Sequence, residues 1–578
     1  MIDPRIYRAA FAPVLVALVV LMFSVEPIPE PVQAPETFAA DFDGRRAATT
    51  ARRIVEQAPV RTPGSSGDGE IADLVAARFG AISAGKLSEQ TYDGSFDGED
   101  VELRNVLLSL PGNSSETIVV VAGRDSARGS GATSSAAATG VLLEMAAELG
   151  RTSHTRTIVL VSADGASDGA SGIREFIASY PTLDLVEAVV VVSQPGAAEP
   201  FGPHLLPWAT EPRSSSAQLV ESAKLALAEE SGARPQLGGF LGNLFRLAIP
   251  AGLGGEAVAI SEGLDAIGIS AAGERPPDPA DDDVASLADP SMAEFGNTAL
   301  ALVLALDTAP SALVHGPAEH LTLAGNLIPG WALGLLALTL LLPALVTAVD
   351  GIARASRRGE PVLGSMLWAL SRALPFLAVL VLAYLLALFG LAPDPDFPFD
   401  LGRFGLGWRA LIVLLLLLGG FAATVRALRP LRVPTGPQRE TLATALGLIA
   451  GLAVLGIWMR NPYLGLLCVP LAHVWLISAR PNGNAGPAPA VLVMLAALVP
   501  LATALIHLAE RLELGPTTPW TLLLMITGGQ VGLIDCLLGS LIAGSLLGLL
   551  AVAWPAGAPA PPPSAPASRI GVDPATSR

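Results

Sequence analysis

Long apolar runs divide this chain into membrane-type segments and one intervening mixed segment. The first run, residues 9–25, follows two arginines and predicts an N-terminal transmembrane anchor over residues 1–25. Seven further runs predict an all-α membrane domain over 323–554, which makes about eight spans in total. These seven runs lie at about 326–349, 366–391, 408–425, 441–459, 463–478, 489–508 and 520–554.

The first apolar run has a second interpretation as a secretory signal peptide. Val32-Gln33-Ala34 has small residues where a signal peptidase would cut, but Pro35 directly after that position disfavours cleavage. An uncleaved anchor is therefore the favoured prediction. The Pro- and Glu-rich segment 26–44 predicts an extended linker.

Between the linker and the membrane domain, over residues 45–310, short β-branched runs alternate with helical patterns. Continuous apolar strands between helices are typical of a sheet that is covered on both faces, so we expect an α/β domain. The predicted strands lie at 117–121, 157–161, 185–192, 257–260 and 266–269.

Charge is distributed unevenly between these regions. The chain has a net charge of −17, and 15% of its residues are charged. Residues 25–320 hold 41 acidic and 18 basic side chains, whereas the remainder holds 11 and 17. An acidic soluble domain excludes nucleic acid as the expected partner. Cys468 and Cys536 both fall in apolar runs and predict buried thiols rather than a disulfide.

The loops between the apolar runs indicate an orientation. Basic residues follow the second, fourth and sixth spans, and the alternate loops are mainly acidic. The basic set is Arg354, Arg357, Arg358, Arg426, Arg429, Arg432, Arg439 and Arg480. Because basic loops stay on the cytoplasmic side, we expect a multi-pass cell-membrane protein with cytoplasmic termini and an extracytoplasmic α/β domain. Residues 555–578, rich in Pro and Ala, predict a disordered cytoplasmic tail.

Four short motifs stand at predicted strand ends or helix starts within residues 104–173. They are Arg104-Asn105-Val106, Gly123-Arg124-Asp125-Ser126, Gly131-Ala132-Thr133-Ser134-Ser135 and Asp164-Gly165-Ala166-Ser167. This arrangement resembles the aminopeptidase-type zinc exopeptidases, the family 28 metallopeptidases. The resemblance covers about 45–306 and implies their fold, a mixed sheet with helices on both faces.

In that family two zinc ions share a bridging Asp, and a Glu acts as general base on the metal-bound water. The resemblance places Gly123 at the first zinc-binding His, Ser134 at the bridging Asp and Ala166 at the general base. It places Ser167 and Gln194 at two further acidic ligands, and it places the last His near Gly273-Glu274. Only Asp125 and Asp164 remain as remnants. The resemblance therefore implies a domain with no catalytic residue, no metal and no cofactor.

Other chemistry at these positions has little support in the sequence. A serine nucleophile would need a nearby base and an oxyanion hole, and neither a Gly-x-Ser-x-Gly motif nor a well-placed histidine is present. His154 and His204 are expected to lie away from the ligand positions. Asp125 and Asp164 are expected to cap helices or to tie strand ends to neighbouring amides.

Polar residues within the apolar runs are candidates for function in the membrane domain. Asp535 and His473 are predicted nearest the span interiors, and helix-to-helix hydrogen bonding is the simpler role for both. Arg372, Arg460, His507 and Gln530 are further polar residues of these runs. Gln530 belongs to Gly528-Gly529-Gln530, which predicts a broken or re-entrant helix.

The favoured hypothesis is a membrane protein with a catalytically inactive aminopeptidase-like domain, a pseudoenzyme. It would contact membrane lipids and bind a peptide, protein or lipid-linked partner through the extracytoplasmic domain. Its architecture resembles that of the attachment subunit of the glycosylphosphatidylinositol transamidase. Two alternatives remain open: an active membrane-bound metallo-aminopeptidase, and a transporter or lipid-handling bundle that the extracytoplasmic domain regulates.

Overall fold

The computed structural model of the chain describes residues 4–34, 42–198, 204–232, 235, 237–428, 438–478 and 487–553. The predicted tail 555–578 lies outside the described residues, as do Arg429, Arg432 and Arg480. The helices are α1 Pro4–Phe23, α2 Gly44–Gln57, α3 Ser66–Gly80, α4 Ala137–Leu149, α5 Ser171–Ser179, α6 Ala217–Ser231, α7 Phe240–Ala248, α8 Gly255–Ser261, α9 Asp289–Thr308, α10 Gly330–Arg357, α11 Val362–Ser371, α12 Leu374–Leu388, α13 Trp408–Ala427, α14 Gln438–Arg460, α15 Pro462–Cys468, α16 Trp475–Ser478, α17 Pro487–Arg511, α18 Thr518–Thr527 and α19 Leu533–Ala553. The strands are β1 Glu26–Pro27, β2 Lys86–Phe96, β3 Glu99–Leu110, β4 Thr117–Gly123, β5 Thr157–Ala163, β6 Val186–Ser193, β7 His204–Leu206, β8 Ala266–Ser270, β9 His320–Leu323 and β10 Asn326–Pro329.

Seven strands form the central sheet in the order β2-β3-β5-β4-β6-β8-β7. The four inner strands β5, β4, β6 and β8 are parallel, and the outer strands pair antiparallel. Alternate residues of β4 point to opposite faces, so Val120 packs with the cluster of α2, α4 and α9, whereas Val121 packs with α5 and α8. The predicted mixed sheet with helices on both faces is confirmed.

One predicted strand is wrong. Residues 257–260 belong to α8, and all four are buried. A short apolar run of Ala, Val, Ala and Ile suits a buried helix turn as well as a buried strand, so its periodicity does not distinguish the two.

The N-terminal segment packs against the apolar helices of the predicted membrane domain, residues 323–554, here called the membrane half. In a small three-stranded sheet, Glu26 of β1 pairs with Leu327 of β10, directly before α10. The ring of Tyr7 in α1 lies 6.1 Å from that of His473. Helix α1 therefore contacts the bundle through a side chain, and the strand that follows it pairs with the bundle through its backbone.

Seven helices among the described residues are long and apolar enough to cross a membrane, counting α11 and α12 together as 362–388. The run predicted as a span at 463–478 is not one long helix but a succession of short helices, α15, a 3₁₀ turn and α16. Pro470 falls within this run, and proline interrupts regular helical hydrogen bonding. The last run is broken after Thr527, at Gly528-Gly529-Gln530, into α18 and α19.

Candidate ligand pocket

A cavity of about 170 Å³ opens at the carboxyl ends of β4, β5 and β6. Its lining includes all five substituted ligand positions of the sequence analysis: Gly123, Ser134, Ala166, Ser167 and Gln194. Parallel strands place their carboxyl ends at one edge of a sheet, which is where α/β domains form their binding crevices. The structure thus brings together residues that are up to 71 positions apart in the sequence.

Asp125, the first remnant, lies on the wall of this cavity with only 2% of its surface exposed. Its carboxylate accepts the backbone N–H groups of Ala166, at 2.8 Å, and Ser167, at 3.0 Å, and also the hydroxyl of Ser167. Burial, and then the nearby charge of Asp164, raises the pKa of Asp125 to about 6. Both carboxylate oxygens therefore hold the loop after β5.

Asp164, the second remnant, does not line the cavity. It accepts the backbone N–H of Arg104 at 2.9 Å and lies 3.1 Å from the guanidinium of Arg124. Arg124 is fully buried and also pairs with Asp68 at 2.7 Å. Asp164 thus belongs to a buried ion-pair cluster beneath the cavity.

A second fully buried arginine, Arg61, lies beside this cluster. Its guanidinium donates to the hydroxyl of Ser135 at 3.0 Å, the carbonyl of Ala58 at 2.8 Å and the carbonyl of Arg124 at 3.1 Å. Burial lowers the pKa of Arg61. Ser135 itself lines the cavity, so Arg61 reaches the pocket through this hydroxyl. Neither Arg61 nor Arg124 is predicted from the sequence as part of the site.

Asp282 binds the turn that carries Ser134. This residue is also not predicted from the sequence as part of the site. Its carboxylate accepts the backbone N–H groups of Thr133 (2.7 Å) and Ser134 (3.1 Å) and the hydroxyls of both residues (2.8 and 2.6 Å). The side chain is 5% exposed and comes from the acidic loop before α9. Two short hydroxyl residues next to a glycine turn were the only local signal for such a partner.

The available donors do not fit two zinc ions. Among the described residues no group of three or more His, Cys, Asp or Glu side chains is placed to hold a metal ion. The carboxylates of Asp125 and Asp282 already accept three and four hydrogen bonds. Arg61 and Arg124 add positive charge where a zinc site requires negative charge.

The expectation that His204 lies away from every ligand position is wrong. Its ring lies 3.6 Å from the point that a β-carbon on Gly273 would occupy, next to the place of the last expected His ligand. It lines a separate small cavity with Arg246 and Glu274. Burial, and then the charge of Arg511, lowers the pKa of His204. His154 pairs with Asp307 at 3.1 Å.

One wall of the pocket comes from the membrane half of the chain. The segment 393–404 between α12 and α13, here called the strap, contributes Pro398, Phe399 and Asp400 to the lining. Asp400 pairs with Arg128 on the rim, and the carbonyl of Pro398 accepts the N–H of Gly169 at 3.0 Å. Phe399 forms an isolated β-bridge with Asp168.

Two polar residues of the membrane half hold the α/β domain in place by binding its backbone. The amide of Gln530, in the break between α18 and α19, donates to the carbonyls of Thr210 at 2.7 Å and Pro250 at 3.1 Å. The amide of Asn461 donates to the carbonyls of Leu247 at 2.9 Å and Ala248 at 3.1 Å. The break predicted at Gln530 therefore serves as a docking point.

His473 and Asp535 do not lie together in a site. Asp535 is in the first turn of α19 and pairs with Arg460, the last residue of α14, at 2.6 Å. Its predicted position in a span interior is wrong, because α19 begins only at Leu533 after the break. Nδ1 of His473 donates to the carbonyl of Val469 at 3.0 Å, and neither residue lines the pocket.

Comparison with known proteins gives the following matches. Residues 105–230 match the profile of peptidase family M28. A glutaminyl cyclase of an Acidobacteriales bacterium is 18% identical and covers 48% of this chain and 98% of its own, with a TM-score of 0.38. The zinc aminopeptidase BSAP of Bacillus subtilis is 12% identical and covers 46% and 95%, with a TM-score of 0.39.

An aminopeptidase of Aneurinibacillus sp. strain AM-1 is also 12% identical, covers 48% of this chain and 96% of its own, and has a TM-score of 0.40. The search of curated proteins returned no match. The matches found do not support the predicted resemblance to the attachment subunit of the glycosylphosphatidylinositol transamidase. They confirm the other resemblance: residues 105–230 are similar to peptidase family M28, and this part of the chain is joined to a set of long apolar helices.

Proposed function

We propose that this protein is an integral membrane protein whose M28-like domain binds a ligand without hydrolysing it. The proposal rests on the hydrogen bonds that the pocket carboxylates form. Ser167 and Ser134, which occupy metal-ligand positions, donate their hydroxyls to Asp125 and Asp282. Both oxygens of each of these two carboxylates are thus engaged in hydrogen bonds that hold loops together.

Hydrolysis by other routes has no support among the described side chains. Ala166 occupies the general-base position and carries no titratable group. The hydroxyl of Ser135 accepts a hydrogen bond from Arg61, and the hydroxyls of Ser134 and Ser167 donate hydrogen bonds to carboxylates. A nucleophilic serine instead needs a base that accepts its proton during attack, usually a histidine.

The lining of the pocket suits a small ligand with an apolar part and a hydrogen-bond donor. Ile173, Leu253 and Phe399 form apolar surface. Gln194 is 8% exposed, and its Oε1 atom has no hydrogen-bond partner among the described residues. Its backbone has a φ of 50°, a conformation that non-glycine residues adopt at a cost and often at functional sites. The terminus of a peptide, of a protein or of a lipid-linked molecule has this chemistry.

The strap makes the proposed binding a property of the whole chain. Because Phe399 and Asp400 belong to a loop between membrane helices, movement of those helices changes the pocket wall. The basic loops support cytoplasmic termini and an extracytoplasmic α/β domain. A protein partner at this face, in the plasma membrane, is part of the proposal.

The test uses the purified full-length protein in detergent. We expect substoichiometric zinc by elemental analysis and no release of amino acids from dipeptides, with or without a chelator. We also expect that a panel of short peptides includes some that raise the melting temperature. Ala166→Trp, at the exposed rim of the cavity, should abolish that rise. The control Ala178→Trp, at an exposed position of α5 outside the lining, should not.

Two results would contradict the proposal. Stoichiometric zinc together with chelator-sensitive peptide hydrolysis would identify a working metallo-aminopeptidase. Peptide stabilisation that persists in Ala166→Trp would place the ligand outside this pocket.

A further inference from the structure

Arg372 is a buried arginine in the membrane half of the chain. It lies at the turn between α11 and α12 and is 8% exposed. Its Cγ atom lies 3.2 Å from the point that a β-carbon on Gly548 of α19 would occupy. The guanidinium stacks over the ring of Trp368, with 4.6 Å between its Cζ atom and the ring centre.

The charge of Arg372 is not neutralised within the described chain. Nε and Nη2 donate to the hydroxyl of Ser371, at 3.3 and 3.1 Å, and no carboxylate among the described residues forms an ion pair with the guanidinium. Nε1 of Trp368 is buried and likewise has no acceptor among those residues. Two donor groups that are stacked on each other therefore lack an anionic acceptor.

The position of Arg372 along the helices places it within reach of one membrane surface. It comes ten residues after Val362, the start of α11, which is about 15 Å along a helix. Gly548 comes five residues before Ala553, the end of α19, which is about 8 Å. Both helix ends lie on the side of the loop that carries Arg357. At the shorter of these two distances, about 8 Å, a long arginine side chain can extend its charged group toward the lipid headgroups.

We propose that Arg372 and Trp368 bind the phosphate of an anionic phospholipid in the leaflet on the Arg357 side. A buried cation in a low-dielectric environment is costly unless an anion neutralises it, and phosphate oxygens accept hydrogen bonds from both guanidinium and indole N–H groups. A zwitterionic lipid offers the same phosphate but adds a cation, so the site prefers an anionic headgroup. The placement of this leaflet on the cytoplasmic side rests on the proposed orientation.

Native mass spectrometry of the full-length protein tests this site. The protein is released from bilayers of equimolar phosphatidylglycerol and phosphatidylcholine, and the retained lipids are counted. We expect the wild type to retain phosphatidylglycerol in preference to phosphatidylcholine by about fivefold, the effect of about 1 kcal/mol for one basic residue beside an anionic headgroup. Arg372→Gln should abolish the preference, and Trp368→Phe should weaken it while keeping ring and charge. Arg357→Gln, an exposed position at the end of α10, should leave it unchanged.

Three outcomes would overturn the assignment. Equal preference in Arg372→Gln and wild type would place the lipid elsewhere. An equal loss in Arg357→Gln would indicate a general effect of charge. Displacement of the lipid by inorganic phosphate would assign the donors to a free anion. If Arg372→Gln aggregates on gel filtration, Trp368→Phe decides the question, and an undiminished preference there would reject the site.

Discussion

Two buried arginines, Arg124 in the M28-like domain and Arg372 in the membrane half, differ in the partners that surround them. The guanidinium of Arg124 lies between Asp68 and Asp164 and also donates to backbone carbonyls. Arg372 has only a neighbouring serine hydroxyl. A buried charge is tolerated when its partners are present, as they are for Arg124. For Arg372 no carboxylate among the described residues fulfils this role, so an anion from outside the described chain is expected there.

The comparison also concerns what remains of a metal site. Zinc ions neutralise the carboxylates that surround them, and a chain that lacks zinc must supply other cations or hydrogen-bond donors. Here Arg124 pairs with Asp164, while backbone amides and serine hydroxyls satisfy Asp125 and Asp282. Groups of the chain itself therefore satisfy these three carboxylates.

The largest expected effect comes from removing the central cation of the M28-like domain. Arg124→Met leaves Asp68 and Asp164 buried without a counterion, and we expect the free energy of unfolding of this domain to fall by about 3–5 kcal/mol. Denaturant-dependent hydrogen exchange of β3 and β5 in the full-length protein measures it. Arg104→Met is the matched control: its partner Asp73 has 74% of its side chain exposed, so about 1 kcal/mol or less is expected. Equal losses in both variants would contradict the buried cluster.

Within the same domain, Glu256 is a buried carboxyl that forms no ion pair among the described residues, in contrast to Asp164. Glu256 is 2% exposed, its Oε2 has no partner among the described residues, and burial raises its pKa from 4.5 to about 7. Because the folded state binds this proton more tightly, its contribution to stability is present below pH 4.5 and is lost as pH rises through 7.

Glu256→Gln removes this titration. We expect the stability of the variant relative to wild type to rise by about 1–3 kcal/mol between pH 5 and pH 8. Chemical denaturation at a series of pH values checks it. Glu262→Gln, at an exposed position after α8, should show no such rise. A relative stability of Glu256→Gln that does not change with pH would show that Glu256 is already neutral or already paired.

A smaller effect is expected where the two halves meet. Asp400→Asn weakens the pair with Arg128, whose side chains are 8% and 19% exposed, and we expect about 1–2 kcal/mol less protection for the strap. Hydrogen exchange of residues 393–404 reports this directly. Asp97→Asn breaks a pair with Arg403 in which Asp97 is 71% exposed, so a loss below about 1 kcal/mol is expected. If Asp97→Asn lowered the protection of the strap more than Asp400→Asn does, the strap would be held mainly through Arg403.

The smallest effect is expected at Asp535. Its pair with Arg460 joins two helix ends, and the side chains are 29% and 45% exposed. Asp535→Asn should therefore lower the stability of the bundle in detergent by about 1 kcal/mol or less. Thermal unfolding with and without the substitution measures it. A loss of several kcal/mol would indicate that Asp535 lies in a span interior, as the sequence predicts.

Much of the α/β fold follows from local patterns. The β-branched runs predict β4, β5, β6 and β8, because parallel strands are apolar on both faces. Their order in the sheet and the helix at 257–260 do not follow, since both depend on which elements pack together. In the membrane half, composition predicts long helices. It does not show that residues 463–478 form the short helices α15 and α16, interrupted by proline, rather than one long helix.

The pocket divides in the same way. The positions that line it follow from motifs at strand ends, because strand ends of one sheet edge converge. Asp282 and the strap come from segments more than 100 residues downstream of the motifs, and no local spacing indicates where such segments return. Arg61 and Arg124 are ordinary arginines in the sequence, and only their complete burial identifies them as part of the site.

The sequence by itself determined the segment classes and which side chains stand at the strand ends, because hydrophobic periodicity and side-chain chemistry are local properties. Tertiary structure alone decided which groups bind the buried carboxylates, that the strap forms one wall of the pocket, and that Arg372 has no carboxylate partner among the described residues. Those three facts depend on long-range contacts and on burial. The free energy of a buried charge depends on the partners that folding places around it.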